Sequence, residues 1–214
     1  MTPRRIAWSI AFVGFFGAAQ LLSTAAPPDG SAPPSPTVLD LRLTVSKELP
    51  RVSQKALINE SEAIWRAANV QLRWLKGATA TETDRPLRIL VTRRAVTATG
   101  THRWPVGELL RFEDRTAIAM ASITGALRIV QGSPELPLVE LPAMRQYTLG
   151  IVLGRAVAHE IGHYLLQTNE HTEYGLMRAS IDAREFADLR TGGFWLDRES
   201  RASLAARALT ARSE

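Results

Sequence analysis

One uninterrupted segment in the C-terminal half limits the folds open to this chain. From Ala143 to Gln167 no proline occurs, and much of the stretch is Leu, Ala, Ile and Val. A run of this length without a helix breaker predicts one long, largely buried α-helix. Gly150 and Gly154 lie inside it, and glycine costs a helix about 1 kcal/mol relative to alanine. We therefore expect another backbone to pack closely at these two positions.

Alternation of apolar and polar residues predicts strands before this helix. Residues 38–45, "VLDLRLTV", alternate strictly, and residues 70–75 and 87–91 have the same character. Between the first two strands, the apolar residues from Pro50 to Ala68 are spaced as in an amphipathic helix. Asn69 suits the left-handed conformation that commonly ends a helix. These segments predict a β-α-β-β beginning.

The remaining segments complete a mixed prediction. Residues 92–112 are irregular and receive no assignment, whereas residues 116–123, "TAIAMASI", predict a fourth strand. Residues 126–131 are expected to extend that strand or to pair with it. Helices are expected over roughly 182–190 and 197–211. The fold class is therefore α+β, with a mixed sheet packed on the long helix and a helical C-terminus.

The first 26 residues have the layout of a secretory signal peptide. Arg4 and Arg5 precede an apolar run from Ile6 to Leu22, and small residues follow around Ala26. The run also reaches the lower limit of about 17 residues for a membrane span, so an uncleaved anchor is the alternative. We predict a secreted or periplasmic protein, tethered to the membrane if the leader is retained.

Composition narrows the classes of partner. The proline-rich residues 27–36 predict a linker, and residues 37–214 are long enough for one domain with a sizeable core. The chain has no cysteine, which excludes disulfides and thiolate zinc sites. Without Arg4 and Arg5, 24 basic and 21 acidic residues leave a net charge of +3, without a basic run. We expect no nucleic-acid partner, and no membrane partner after cleavage of the leader.

Three of the four histidines lie close together in the sequence. His159 and His163 are the ends of an H-E-x-x-H motif, and His171 follows eight residues later. On a helix, residues four apart project from the same face, so the first two imidazoles can bind one zinc ion. Glu160 can then take a proton from a water molecule that the metal activates. A catalytic zinc also needs a third protein ligand and one open position.

The stretch "HEIGHYLLQTNEHTEYGLMR" resembles the metzincin zinc peptidases, whose motif H-E-x-x-H-x-x-G-x-x-H precedes a methionine-containing turn. It is also similar to small exported bacterial peptidase-like proteins with H-E-I-G-H-x-L-L-G-x-x-x-H and "GLMR". The resemblance implies a compact metzincin-like (zincin) domain over residues 37–214 in which His159, His163 and His171 bind zinc. It also makes Glu160 the general base, and Met177 the turn methionine under the metal.

Three positions depart from these patterns. The longer motif has glycine at the position of Leu166 and histidine at that of Asn169, and the second pattern has glycine at the position of Gln167. Glycine turns the chain sharply after the helix because it adopts positive φ at little cost. Glutamine would be strained there, whereas asparagine tolerates this conformation better. We therefore expect the turn to have moved to Asn169.

Other positions carry alternatives. Glu185, in "REFADL", resembles the glutamate ligand of gluzincin-type peptidases and is the rival of His171 as third ligand. Tyr174 could donate to the oxyanion of a tetrahedral intermediate or be a packed loop residue. The resemblance further implies that an extended peptide adds to the strand at residues 116–123.

The predicted function is hydrolysis of peptide bonds in a peptide or protein substrate by a zinc metalloendopeptidase. The alternative is a non-catalytic zinc-binding protein of the same fold that recognises a partner, which the departures from the motif favour. An exported α+β module with an accidental motif is a third possibility.

Overall fold

The structure is a computed structural model that describes residues 35–75, 86–94, 106–113, 116–131, 141–190 and 192–210. The predicted signal peptide and most of the predicted linker lie outside the described residues. In chain order the elements are β1 (Thr37–Val45), α1 (Arg51–Arg66), β2 (Val70–Trp74), β3 (Leu87–Thr92), β4 (Gly107–Arg111), β5 (Ala117–Ser122), α2 (Ile123–Gln131), α3 (Ala143–Leu166), α4 (Ala183–Ala187) and α5 (Arg198–Thr210).

The strands form one mixed sheet in the order β2-β1-β3-β5-β4. Four strands run parallel, and β4 pairs antiparallel with β5 at one edge. Leu43, Ile89, Ala119 and Leu109 are paired across four adjacent strands and therefore point to the same face of the sheet. The core lies on that face, between the sheet and helices α1 and α3. The predicted packing of a mixed sheet on the long helix is confirmed.

Helices α1 and α3 approach each other closely at Gly150 and Gly154. A Cβ atom at Gly150 would collide with the carbonyl oxygen of Ser53, and one at Gly154 would lie 2.8 Å from that of Leu57. The Ser61 hydroxyl donates to the carbonyl oxygen of Gly154 over 3.1 Å, so the two helices are also hydrogen-bonded at this point. The expectation that these glycines allow close backbone packing is confirmed.

Gly154→Ala should lower the free energy of unfolding by about 1–2 kcal/mol. Alanine would favour an isolated helix by about 1 kcal/mol, but here the nearest atom is the backbone carbonyl oxygen of Leu57 on α1, which cannot rotate away. Urea denaturation of the two proteins measures the difference. Gly192→Ala is the control, because no atom lies within 4 Å of a Cβ at that position. A Gly154→Ala protein as stable as the parent would contradict this packing argument.

Residues 126–131 do not extend or pair with the preceding strand, so that prediction is wrong. They belong to α2, which begins directly after β5. The Ser122 hydroxyl accepts a hydrogen bond from the amide of Gly125 over 3.1 Å, as a helix cap does. Ile123, Ala126 and Leu127 have helical spacing and are buried together. A short apolar run fits helix and strand equally, and only the packing decides between them.

The strand at the edge of the sheet is β4, which lies within residues 92–112, where no element was predicted. It covers β5, so the expectation that residues 116–123 form the free edge is wrong.

Helix α4 is also shorter than predicted and ends at Ala187. The left-handed conformation expected at Asn69 is present, with φ of 58°. None of the helices in the described part of the chain is long and apolar enough to cross a membrane.

Candidate metal centre

Two histidine rings meet near the C-terminal end of α3. The Nε2 atoms of His159 and His163 lie 3.0 Å apart. On the other side of each ring, Nδ1 of His159 donates to the carbonyl oxygen of Leu176 over 2.8 Å, and Nδ1 of His163 donates to that of Thr168 over 2.9 Å. A carbonyl oxygen can only accept, so each Nδ1 carries a hydrogen. In the neutral rings, both Nε2 atoms therefore present lone pairs to the same space.

This arrangement fits a metal ion. Two lone pairs that face each other at 3.0 Å repel unless a cation or an additional proton lies between them. Burial lowers the pKa of His163 and so keeps that ring in the neutral form that binds metals. Metal-binding histidines usually donate their second ring nitrogen to a backbone carbonyl or a carboxylate, as both rings do here. The pair is thus oriented as two zinc ligands would be.

His171 completes the cluster. Its ring centroid lies 5.4 Å from that of His159 and 4.9 Å from that of His163. One nitrogen from each of the three rings falls within 4.8 Å of the others. These three side chains therefore form a group that could hold a metal ion. Three imidazoles with one open position make the ligand set of a catalytic zinc site.

The turn after α3 is made by Gln167. This residue has φ of 54° and ψ of 36°, the left-handed conformation, immediately after the last helical residue. The expectation that the turn had moved to Asn169 is therefore wrong. A non-glycine residue pays about 1–2 kcal/mol for this conformation. The turn brings the Thr168 carbonyl back to His163, and that hydrogen bond offsets part of the cost.

Met177 lies against the helix turn that carries the two histidines. It is fully buried, and a Cβ atom at Gly162 would collide with its sulfur and lie 3.0 Å from its Cε. The Met177 carbonyl accepts from the amide of Thr172 over 2.9 Å, and Gly175 makes the preceding bend with φ of 78°. Gly162 therefore makes room for the methionine, a role that the motif alone did not reveal.

Glu160 faces the edge strand β4. Its side chain is 5% exposed, and a Cβ atom at Gly107 would collide with Oε1 and lie 3.0 Å from Cγ. Burial, together with the nearby negative charge of Glu108, raises the pKa of Glu160 to about 8. On the same strand, Arg111 donates to the carbonyl oxygen of His163 over 2.6 Å and ties β4 to the helix. Sequence reasoning missed Gly107 and Arg111 because their stretch shows no periodic pattern.

The pKa of Glu160 predicts how the stability of the metal-free protein depends on pH. A raised folded-state pKa favours the protonated folded protein, so stability is complete below the ordinary value of 4.5 and falls as the pH rises to about 8. We expect the melting temperature in EDTA to fall over this range by on the order of 5 °C more than that of Glu160→Gln. Calorimetry at several pH values measures this. If the melting temperatures of the two proteins change in parallel with pH, the raised pKa of Glu160 is contradicted.

The two remaining candidates, Glu185 and Tyr174, interact with other side chains. Glu185 forms an ion pair with Arg178, whose Nη1 lies 3.1 Å from Oε2. The structure therefore brings His171, rather than Glu185, to the other two histidines. Tyr174 is 64% exposed and its hydroxyl donates to Glu173 over 2.8 Å. Its suggested role towards an oxyanion stays a prediction.

Two solved structures are similar to this chain. A zinc-dependent peptidase from Methanocorpusculum labreanum matches with a TM-score of 0.51 at 13% identity, over 77% of this chain and 99% of that chain. Archaemetzincin from Methanopyrus kandleri matches with a TM-score of 0.48 at 14% identity, over 82% of this chain and 97% of that chain. No protein-family model and no curated protein sequence matches the chain.

These findings define the class of fold. The first likeness shows that this chain shares the fold of that structure, which agrees with the predicted compact α+β architecture of a mixed sheet packed on the helix that carries the H-E-x-x-H motif. Within that fold, the cluster of His159, His163 and His171 could bind zinc, as the prediction of a zinc cofactor required. The narrower resemblance to small exported bacterial proteins stays a prediction.

Proposed function

We propose that this protein is a zinc-dependent metallopeptidase that hydrolyses peptide bonds. One observation carries the proposal, the cluster of three imidazoles in which two Nε2 atoms lie 3.0 Å apart. The helix that carries the first two imidazoles also carries the buried carboxylate of Glu160. His159, His163 and His171 would hold the metal, and the fourth position would be open to water or substrate.

The chain's own residues would carry the proton transfers. Zinc, when bound, would lower the pKa of a water molecule towards neutrality and polarise the scissile carbonyl group. Glu160 would accept the proton of the attacking water and then deliver it to the leaving amine. The space cleared by Gly107 allows its carboxylate to lie between the helix and β4. Met177 would support the histidine turn by packing without acting as a ligand.

We propose a peptide or protein as the substrate. As the last strand of the sheet, β4 has one backbone edge that pairs with no other described strand. An extended peptide can add to such an edge through main-chain hydrogen bonds. Because Gly107 of this strand lies beside Glu160, a peptide bound there would pass close to the general base.

The alternative is a zinc-binding protein of this fold that recognises a partner without cleaving it. It was favoured by the missing turn glycine, but Gln167 adopts the conformation that the glycine would supply. Holding zinc does not require Glu160, whereas activation of water does. Glu160 is buried and directly follows His159 on α3, which supports the peptidase.

We also propose that the protein is exported, secreted or periplasmic, on the basis of the charged and apolar pattern of its first 26 residues. Mass spectrometry of the N-terminus of protein recovered outside the cytoplasm tests this. We expect a new N-terminus near residue 27, and recovery of uncleaved protein in the membrane fraction would favour the anchor.

The test of the proposed function uses zinc-loaded protein and a diverse fluorogenic peptide library. Cleavage should stop after a chelator removes the metal and return when zinc is added. His163→Ala should neither retain zinc nor cleave, because it loses one of the three ligands. Bound zinc without cleavage of any peptide or protein would favour the partner-binding alternative. Failure of the parent protein to bind zinc would contradict both.

A further inference from the structure

Arg155 is a fully buried arginine on α3, one helical turn before His159. Its Nε donates to Oε1 of Glu60 on α1 over 2.7 Å. The other guanidinium nitrogens donate to three carbonyl oxygens of one later segment, at 3.2 Å, 3.0 Å and 3.4 Å: those of Glu185, Phe186 and Arg190. A single side chain thus joins both long helices to the segment that contains α4.

A buried charge needs a reason, because removal of an ion from water costs several kcal/mol. Here one planar group with five donors supplies hydrogen bonds to the end of a helix of five residues. The last carbonyl groups of any helix lack partners within the helix, and an apolar side chain could not satisfy them. Arg155 therefore fixes the position of the end of α4 and of the residues up to Arg190.

Arg155 also contacts the chain farther on, which two successive hydrogen bonds connect to the histidine site. The Arg155 guanidinium lies over the ring of Phe194, 4.2 Å from its centroid. The carbonyl of the next residue, Trp195, accepts from the amide of Leu176 over 2.7 Å. The carbonyl of Leu176 in turn accepts from Nδ1 of His159. A Cβ atom at Gly175 would collide with the Trp195 carbonyl oxygen, so this close approach requires glycine.

We propose that Arg155 is a positioning residue for the metal site. Through Phe194 and Trp195 it holds the Leu176 carbonyl where Nδ1 of His159 can donate to it. That hydrogen bond keeps the hydrogen on Nδ1, so that Nε2 faces the other two imidazoles with its lone pair. The inference rests on the zinc site of the proposed function, not on the cleavage of any substrate.

The test uses the double variant Glu60→Met/Arg155→Met, which removes both charges together and leaves neither unpaired in the core. Phe194→Leu interrupts the same chain of contacts at its next member without changing a charge. Ser53→Ala is the matched control: Ser53 is also buried on α1, but its hydroxyl donates to the Gln146 carbonyl of α3 over 2.7 Å. Circular dichroism verifies that each variant is folded.

Two quantities are measured. The first is zinc affinity by competition with a chromophoric chelator, expected to fall about 10- to 100-fold in the double variant and in Phe194→Leu, and to change less than about twofold in Ser53→Ala. The second is the hydrogen position on His159 in metal-free protein, read from imidazole nitrogen NMR with His159→Gln for assignment. The parent should show hydrogen on Nδ1 of His159. The double variant and Phe194→Leu should each show a mixture of the two tautomers.

Either measurement can overturn the inference. Folded variants with the zinc affinity of the parent and hydrogen still on Nδ1 of His159 would show that Arg155 is merely structural. If the double variant does not fold, Phe194→Leu decides by the same measures. A parent protein that fails to bind zinc would contradict the proposed function, and the NMR measurement would still decide whether Arg155 positions His159.

Discussion

Glu160→Gln should reduce kcat for peptide hydrolysis by about 100- to 10,000-fold, the range that a general base contributes. Glutamine has nearly the same shape as glutamate, so it fits the buried space beside Gly107. It cannot accept the proton of the attacking water, and the chemical step therefore loses its base. Because Glu160 is not one of the three clustered imidazoles, zinc affinity should remain within about tenfold.

The control for this variant is Glu170→Gln, an exposed glutamate in the loop between α3 and His171. It removes the same charge close to the site and should leave kcat within about twofold, as substitutions on an exposed surface usually do. Isothermal calorimetry of zinc binding accompanies both kinetic measurements. A zinc-loaded Glu160→Gln protein that cleaves as fast as the parent would exclude Glu160 as the base.

Glu60→Ala should lower the free energy of unfolding by about 3–5 kcal/mol, because it leaves the Arg155 charge buried without its partner. The Arg155 side chain is 0% exposed and that of Glu60 is 5% exposed, so water cannot replace the lost carboxylate. For a domain of this size, the melting temperature should fall by roughly 10 °C. Chemical denaturation and calorimetry measure the two quantities.

Two comparisons separate this effect from the loss of any ion pair. Glu48→Ala breaks the exposed pair of Glu48 with Arg93 and should cost at most about 1 kcal/mol. The double variant Glu60→Met/Arg155→Met should recover much of the stability lost in Glu60→Ala, since no isolated charge remains. A Glu60→Ala protein no less stable than Glu48→Ala would contradict the burial argument.

The elements that the sequence predicts well are those that local spacing controls. The long helix, the strands β1, β2 and β3, and the left-handed Asn69 agree with the structure. The placement of His159 and His163 on one face of α3 follows from the helical repeat alone, whatever surrounds it. For the same reason Gly150 and Gly154 of α3 could be interpreted as a packing site before their partner helix was known.

The sequence by itself thus determined that a helix would present two imidazoles together, because hydrogen bonds within the helix set that spacing. Only the tertiary structure decided that His171 lies with them, because this requires the chain to turn back after α3, which it does through the left-handed conformation of Gln167. It also decided that β4 forms the edge and that Gly107 lies beside Glu160. Such pairings depend on residues far apart in the chain, and no local pattern encodes the packing that stabilises them.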